Sequence, residues 1–304
     1  MREIRIPAFA KVNLRLDILG KRPDAYHELR TIFQTISLHD ELRLRATRTS
    51  GICLTIQGNE PLSLEPVRKN LVYAAVDALQ RELGIRSGVE IHLRKTIPAG
   101  RGLGGGSSDA AAALLGYLRL VRRTVPAPRL MQIAATLGAD VPFFLLGGRA
   151  LGIGRGDEIY PLPDIPKLTL LVVSPHDIHV PTPDAYRWLK APALTKNRAT
   201  PKLWEFCALC WSLPAVAGVQ GSGLSNDFEG PVFRRHPRLA QIKRALLRHG
   251  AAEASLAGSG SAVFGVFPSP ALARRAAVRF QDEHTFVCET ISRDRYLRKV
   301  QSAP

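Results

Sequence analysis

The N-terminal segment alternates. Ile4, Ile6, Ala8, Ala10, Val12, Leu14, Leu16 and Ile18 recur at period two with mainly polar residues between them, the spacing of a first β-strand. More strand-like text follows at Thr31 to Ser37, Glu41 to Ala46 and Ile52 to Gln57. The period then changes: Asn70 to Leu83 has helical spacing and stops at Gly84, where a left-handed cap is easy for glycine. Val89 to Leu93 predicts a short strand, and a glycine-rich turn leads into a helix from about Ser108 to Val121. Pro128 to Leu137 predicts another helix, ended by Gly138. The Pro/Gly-rich stretch Gly147 to Pro166 is the best candidate domain boundary. Beyond it the pattern predicts a strand from Leu168 to Val173 and helices at Ala185 to Leu189, near Leu203 and over Pro237 to His249. Strand Ser261 to Phe267, helix Pro270 to Glu283 and strand Phe286 to Ile291 complete the set. Strands and helices mix without a strict βαβ repeat, which predicts two α+β domains.

A length of 304 residues agrees with two domains, at about 150 residues each. With 45% hydrophobic and 22% charged residues the chain is ordinary for a soluble globular protein, which argues against disorder and low-complexity structure. Met1 to Lys21 has no continuous apolar core of a secretory signal, and the most apolar stretch, Phe143 to Leu151, is broken by Gly147, Gly148 and Arg149. The expectation is a cytoplasmic protein without a membrane partner. Four cysteines are too few for a disulfide framework. Cys207 and Cys210 form one Cys-x-x-Cys inside the helical pattern Leu203 to Leu213, with no second close pair to complete a zinc site, and read as core residues. His176 and His179 have no nearby third ligand and read as loop residues. Charge changes the picture more: 42 lysines and arginines against 26 acids give +16, which makes a polyanion or an anionic small molecule a live partner. The basic residues are spread over Arg2 to Arg48 and Arg234 to Lys299 without a nucleic-acid motif, so nucleic acid is not the expected partner.

The richest segment is Pro98-Ala-Gly-Arg-Gly-Leu-Gly-Gly-Gly-Ser-Ser-Asp109. Its glycines leave backbone N–H groups unobstructed, and the helix that follows offers free N–H groups and a partial positive charge, a cradle for phosphate. Ser107 and Ser108 add hydroxyls. The bland alternative is a glycine turn with a Ser or Asp cap. No lysine follows the glycines, which excludes a Walker A loop. Gly100, Gly102 and Gly105 fit a dinucleotide fingerprint, but Val121 to Arg129 holds no acidic residue for a ribose and the upstream strand carries Glu90, His92 and Arg94.

Three further patches stand out. Period two puts Lys11, Asn13, Arg15 and Asp17 on one face of the first strand, by itself the pattern of a solvated face. Asp140, in Gly-Ala-Asp-Val-Pro-Phe-Phe144, fits either a helix cap or a catalytic carboxylate. Ser255-Leu-Ala-Gly-Ser-Gly-Ser-Ala-Val-Phe264 is a second glycine/serine turn.

These pieces in this order resemble the GHMP small-molecule kinases: a Lys-bearing first strand, a Gly-Leu-Gly-Gly-Gly-Ser-Ser loop and a late Ala-Gly-Ser-Gly-Ser turn. Arg22-Pro-Asp-Ala-Tyr-His-Glu-Leu29, Pro181-Thr-Pro-Asp-Ala-Tyr186 and Asn226-Asp-Phe-Glu229 are similar to the branch whose substrate is 4-diphosphocytidyl-2-C-methyl-D-erythritol. The resemblance implies a nucleotide-binding N-terminal domain over 1–160 and a ferredoxin-like α/β-sandwich substrate domain over 161–304. It implies ATP-dependent phosphorylation of the 2-hydroxyl of that substrate on the non-mevalonate route to isoprenoids, with Mg²⁺ expected and a monomer or weak homodimer. Asp140 would be the general base, and Lys11 would hold it ionised and offset charge on the phosphoryl group. Asn70, Lys95 and the loop residues Pro98, Ala99, Gly100, Arg101, Gly102, Leu103, Gly104, Gly105, Gly106, Ser107 and Ser108 would bind ATP. Tyr26 and Tyr186 would sandwich cytosine, His27 would read its edge, and Asn13 and Thr182 would contact the diphosphate-methylerythritol part. Ser261 or its neighbours would close the site against the polyol. Two residues depart from comfort: Arg101 stands where the family often has a small residue and is expected to point to solvent. Asp109 would repel ATP unless it faces away or meets Mg²⁺.

Overall fold

The computed structural model describes residues 2–58, 67–194, 203, 206 and 223–301. Two sheets lie against a shared apolar layer. In the first, β1 (Glu3–Lys21) pairs antiparallel with β2 (His27–Thr47), and the far half of β2 pairs antiparallel with β4 (Gly88–Lys95), which runs parallel to β3 (Ile52–Gly58). The near half of β2 pairs instead with β5 (Arg149–Gly154), which pairs with β6 (Glu158–Pro161). The other edge of β1 takes the short parallel strand β8 (Ser225–Asn226). The second sheet is antiparallel, in the order β11 (His284–Glu289), β7 (Thr169–Ser174), β10 (Val263–Phe267), β9 (Glu253–Leu256).

Helices cover the outer face of each sheet. On the first are α1 (Leu71–Leu83), α2 (Gly105–Val121), α3 (Ala127–Leu137) and α4 (Val141–Leu146). On the second are α5 (Thr182–Leu189), α6 (Glu229–Arg235), α7 (Pro237–Arg248) and α8 (Pro270–Ala277). Helix α1 shows its boundary logic: Asn70 Oδ1 accepts from the Val72 N–H at 2.9 Å, and Gly84 closes the far end at φ 62°.

The even alternation of β1 does not define one face. A register shift between Phe9 and Lys11 moves the strand by one residue, so Ile4, Ile6 and Ala8 join the helix-side core with Phe9, while Ala10, Val12 and Leu14 join the layer between the sheets. Lys11 and Asn13 therefore face away from that layer, and both are buried. The solvated-face expectation fails for them, whereas Arg15 and Asp17 are half-buried and paired with each other at 2.8 Å.

Other differences have local causes. Thr31 to Ser37 and Glu41 to Ala46 are one strand, because the polar break at His39-Asp40 is absorbed: Asp40 is fully buried and ion-paired. Helix α2 starts at Gly105, three residues before Ser108, with Gly104 at φ 72° as its cap residue. Gly147 to Pro166 carries β5 and β6 of the first sheet rather than a bare connection. The helix expected near Leu203 and the pair Cys207 and Cys210 lie outside the described residues, Leu203 and Phe206 excepted. No helix among the described residues is long and apolar enough to cross a membrane.

The last helix, α9 (Arg293–Gln301), packs back onto the first core through Tyr296 and Val300. The Tyr296 hydroxyl donates to the Phe144 carbonyl oxygen, and its ring lies where any side chain on Gly147 would sit, 2.2 Å from that glycine's missing Cβ. Tyr296→Ala is expected to cost about 3–5 kcal/mol in chemical denaturation, as for other buried aromatic truncations; a loss below about 1 kcal/mol would show that α9 does not belong to the core.

Candidate active site

One cleft, about 1670 Å³, opens between the glycine loop and the second half of the chain. Lys11 and Asn13 form its floor. Lys11 Nζ donates to Asn13 Oδ1 at 2.8 Å, Asn13 Nδ2 donates to Thr31 Oγ1 at 2.7 Å, and the Thr31 hydroxyl donates to the Arg15 carbonyl at 2.8 Å. Lys11 Nζ also stands 5.3 Å from the centre of the Phe33 ring. Its remaining partner is Asp140 Oδ2 at 3.4 Å. Asp140 occupies the cap position of α4, yet its side chain accepts no helix N–H. The cap alternative is thereby set aside, since the carboxylate is turned to Lys11.

The loop ends in helix α2 without any side-chain cap, so its first N–H groups are left for another partner. Beneath this corner lies a buried charge cluster. Lys95 Nζ donates to Asp109 Oδ2 at 2.6 Å and to Asp40 Oδ2, while Asp40 Oδ1 also accepts from the N–H groups of Thr96 and, at 2.8 Å, Ile97. Burial alone would lower the Lys95 ammonium, but Asp109 and Asp40 outweigh it and the pKa is raised. Burial also drives the Asp109 carboxyl up; Lys95 opposes this, Asp40 adds to it, and the group reaches about 8. Asp109 thus meets Lys95, and that ammonium offsets the repulsion expected of it. Lys95 Nζ is 3.2 Å from where a Cβ on Gly105 would lie, so the ammonium sits directly against the loop corner.

The sequence-predicted residues come together in this cleft: Lys11, Asn13, Tyr26, His27, Asn70, Lys95, Thr182, Tyr186 and all of Pro98 to Ser107 line it. Ser108 does not, being buried beneath. Asn70 reaches it as the cap of α1. His27 stacks on Tyr186 with ring centres 4.5 Å apart, whereas Tyr26 is exposed and covered by the Arg155 guanidinium at 4.9 Å. Burial and the nearby Lys21 lower the His27 pKa, leaving a neutral ring with one donor and one acceptor. Phe228 meets Tyr186 edge-on at 4.9 Å.

In the late turn it is the neighbours of Ser261, and not Ser261 itself, that reach the cleft. Ser261 is fully buried, and its hydroxyl donates to the Ile178 carbonyl at 2.5 Å; Gly258 and Ser259 line the cleft instead, with Ser259 Oγ 3.0 Å from Thr182 Oγ1. Arg101 does not point to solvent either; it is buried and directed into the second half. The Asn226-Asp-Phe-Glu229 segment works as scaffold: Asn226 Nδ2 donates to the carbonyls of Leu256 and Gly258, both at 2.8 Å, and Asp227 accepts from Ile18 N–H at 2.7 Å. The His176 ring lies tilted against that of His284 with centres 3.8 Å apart, and among the described residues no cluster of three His, Cys, Asp or Glu forms a metal site.

The first segment of that frame, residues 70–148, matches the GHMP kinase N-terminal domain model, and 213–284 matches the GHMP kinase C-terminal model. Along 298 residues the chain is 45% identical to 4-diphosphocytidyl-2-C-methyl-D-erythritol kinase of Solibacter usitatus (strain Ellin6076), covering 97% of this chain and 91% of the relative. The chain belongs to the 4-diphosphocytidyl-2-C-methyl-D-erythritol kinase family. The homonymous enzyme of Pelotomaculum thermopropionicum is 40% identical over 94% of this chain and 97% of its own. A crystal structure of 4-(cytidine 5'-diphospho)-2C-methyl-D-erythritol kinase superimposes with a TM-score of 0.77 at 35% identity, covering 94% of this chain and 99% of that one. A mevalonate kinase structure at 14% identity and TM-score 0.66 shares the fold. The architecture is thus the two-part α+β GHMP kinase fold, and the chain is an ATP-dependent small-molecule kinase.

Sequence reasoning missed Asp40, Phe33, Thr31 and Arg155. A signal existed for two of them: Thr31 and Phe33 share a face of β2, and Phe33 is the register partner of Asn13. The Asp109 carboxyl, raised to about 8 by burial, binds a proton in the folded chain that it releases near 4 when unfolded, so its stabilising share is present in acid and lost as pH rises through 8. Urea titrations between about pH 5 and 9 should show the wild type losing stability with pH relative to Asp109→Asn, which mimics the protonated form; an opposite slope in the difference would contradict the assignment.

Proposed function

We propose that this chain transfers the γ-phosphoryl group of ATP to the 2-hydroxyl of 4-diphosphocytidyl-2-C-methyl-D-erythritol, on the cytoplasmic, non-mevalonate route to isoprenoids. The observation that carries the reading is the Lys11–Asp140 pair, 3.4 Å apart, in the cleft bounded on one side by the uncapped glycine loop and on the other by His27 and Tyr186. A phosphate end and a base-binding end flank one carboxylate and one ammonium. Eight lysines and arginines line this cleft against two aspartates, a field suited to two polyanionic substrates.

In this reading Asp140 accepts the proton of the substrate hydroxyl as it attacks, and Lys11 meets the charge spreading over the transferring oxygens. Lys11 is fixed from three sides by Asn13, Asp140 and Phe33, so it needs little reorganisation during transfer. The loop from Pro98 to Ser108, with Lys95 and Asn70, binds ATP. His27, Tyr26 and Tyr186 hold cytosine, and Asn13 and Thr182 hold the diphosphate ester. His27 occupies one face of Tyr186, so a cytosine held on that face displaces the imidazole.

The oxygen donors present fit a magnesium ion brought in on the nucleotide rather than a protein cage: Ser107 and Asp140 line the cleft, and no three-residue ligand cluster exists among the described residues. Ser107 would hold it from the loop, Asp140 being kept for the proton, and its charge would neutralise phosphate oxygens. Turnover is expected with ATP, Mg²⁺ and the diphosphocytidyl substrate, and not with mevalonate, homoserine or sugars. Asp140→Asn should lower kcat by about 10²–10⁴-fold with the KM values little changed, and Lys11→Ala should lower it by about 10² or more. Full activity of Asp140→Asn would remove it as the base, and turnover of mevalonate in place of the cytidyl compound would remove the substrate assignment.

A further inference from the structure

Three glycines of the phosphate loop do different jobs. A Cβ on Gly102 would lie 1.8 Å from the carbonyl oxygen of Ala257, and one on Gly100 would lie 2.3 Å from Cε1 of His179. A Cβ on Gly104, by contrast, would meet Phe144 and Lys11 in the first half. The first part of the loop is therefore packed against the second half of the chain. Backbone joins it there too, since the Ala262 N–H donates to the Arg101 carbonyl at 3.1 Å.

Arg101, between those two glycines, supplies the side-chain part of this junction. Its Nη1 donates to Ser261 Oγ at 3.1 Å and its Nη2 to the His176 carbonyl at 3.1 Å, and Ser261 Oγ in turn donates to the Ile178 carbonyl. The guanidinium is buried, and no carboxylate among the described residues pairs with it. Two segments of the second half are thus gripped by one residue of the loop: the connection after β7, through His176 and Ile178, and the late turn. Two residues along that turn, Ser259 meets Thr182, on the substrate side of the cleft.

We propose that Arg101 is a positioning residue that fastens the phosphate loop to the second half, so that the nucleotide and acceptor sides of the cleft are held as one body. This rests on the loop being the nucleotide site. A smaller side chain at this position would remove both side-chain hydrogen bonds and leave the loop held to the second half by backbone contacts and the packing of Leu103, so that its N–H groups would have to be ordered in part by the nucleotide at a cost in affinity. The guanidinium fork matters more than its charge, because both of its acceptors are neutral oxygens at fixed positions.

The test is calorimetric titration of the full-length chain with a non-hydrolysable ATP analogue and Mg²⁺, for wild type, Arg101→Met, Arg101→Lys and Ser261→Ala. Arg101→Met and Arg101→Lys should each weaken binding by about tenfold or more, since a charged hydrogen-bond donor is lost or displaced. Ser261→Ala keeps the charge and one of the two bonds and should weaken binding by a smaller factor, about threefold. It also serves if Arg101→Met fails to fold. A merely electrostatic role predicts the reverse: Arg101→Lys rescues and Ser261→Ala is silent, and that pattern overturns the proposal. A fall in melting temperature with unchanged nucleotide affinity does the same. If the wild type itself fails to bind the analogue, the nucleotide assignment of the loop falls first.

Discussion

A strand buried on both faces can hold an ammonium at its centre only if every proton of that ammonium finds an acceptor. Lys11 is in this position, 4% exposed, and the surrounding chain is arranged to receive it. Asn13 accepts one proton, Asp140 comes from the start of α4, and Phe33 offers its ring face from β2. Each partner is itself fixed: Asn13 by Thr31, Phe33 by stacking on Phe143 at 4.8 Å, and Asp140 by the turn Gly138 to Val141. Three elements far apart in sequence therefore converge on one nitrogen. The register shift of β1 beside Lys11 is what allows this, because without it residues 11 and 13 would continue the face that packs between the sheets.

The same economy governs the glycine loop. Glycine there is usually read as room for phosphate, but Gly100 and Gly102 are required by His179 and the Ala257 carbonyl, protein against protein. Only the later part, Gly104 to Ser107, lies where the helix N-terminus is uncapped. Lys95, clamped by Asp40 and Asp109, presses on this part from below, and Asp40 also accepts the N–H groups of Thr96 and Ile97 that lead into the loop. A loop so braced is shaped before any ligand arrives, which is what electrostatic stabilisation of a transferring phosphoryl group needs.

Much of this was legible in the chain itself. Apolar periodicity located β1, α1, α2, α3, α7 and the strands β7, β10 and β11 of the second sheet to within a few residues, whereas β9 lies where the sequence reads as the start of the late turn. The cleft residues Lys11, the loop, Asp140, His27 and Tyr186 were legible as motifs. What stayed hidden were features that depend on contacts distant in sequence. Asp40 falls in the gap between two strand segments read from the sequence, and the lysine that it meets, Lys95, lies 55 residues on. Arg101 looked like a surface arginine because its acceptors, Ser261 and the His176 carbonyl, lie 160 and 75 residues away. The Asn226-Asp-Phe-Glu229 motif identified the family, yet its side chains hold the late turn and β1 together and leave only Phe228 to the cleft.

The net charge of +16 acquires a meaning from position rather than size. Deep in the cleft Lys11 faces Asp140, and Lys95 faces Asp40 and Asp109, so the inner groups are nearly balanced and act by orientation. At the rim, Arg155 and Arg187 are engaged with Asp157 and Asp184, while Lys21 and Lys190 are exposed without an ion pair among the described residues. Attraction of a polyanion at long range therefore comes from the rim, where solvent and salt screen it within about 10 Å. Close-range selection comes from the buried groups, where screening is weak. Arg244, Arg248, Arg274, Arg275 and Arg279 are exposed on the outer helices of the second half, on the side of its sheet that faces away from the shared layer. They raise the total charge while lying outside the set of residues that line the cleft, so the formal charge of the chain overstates the field its ligands meet.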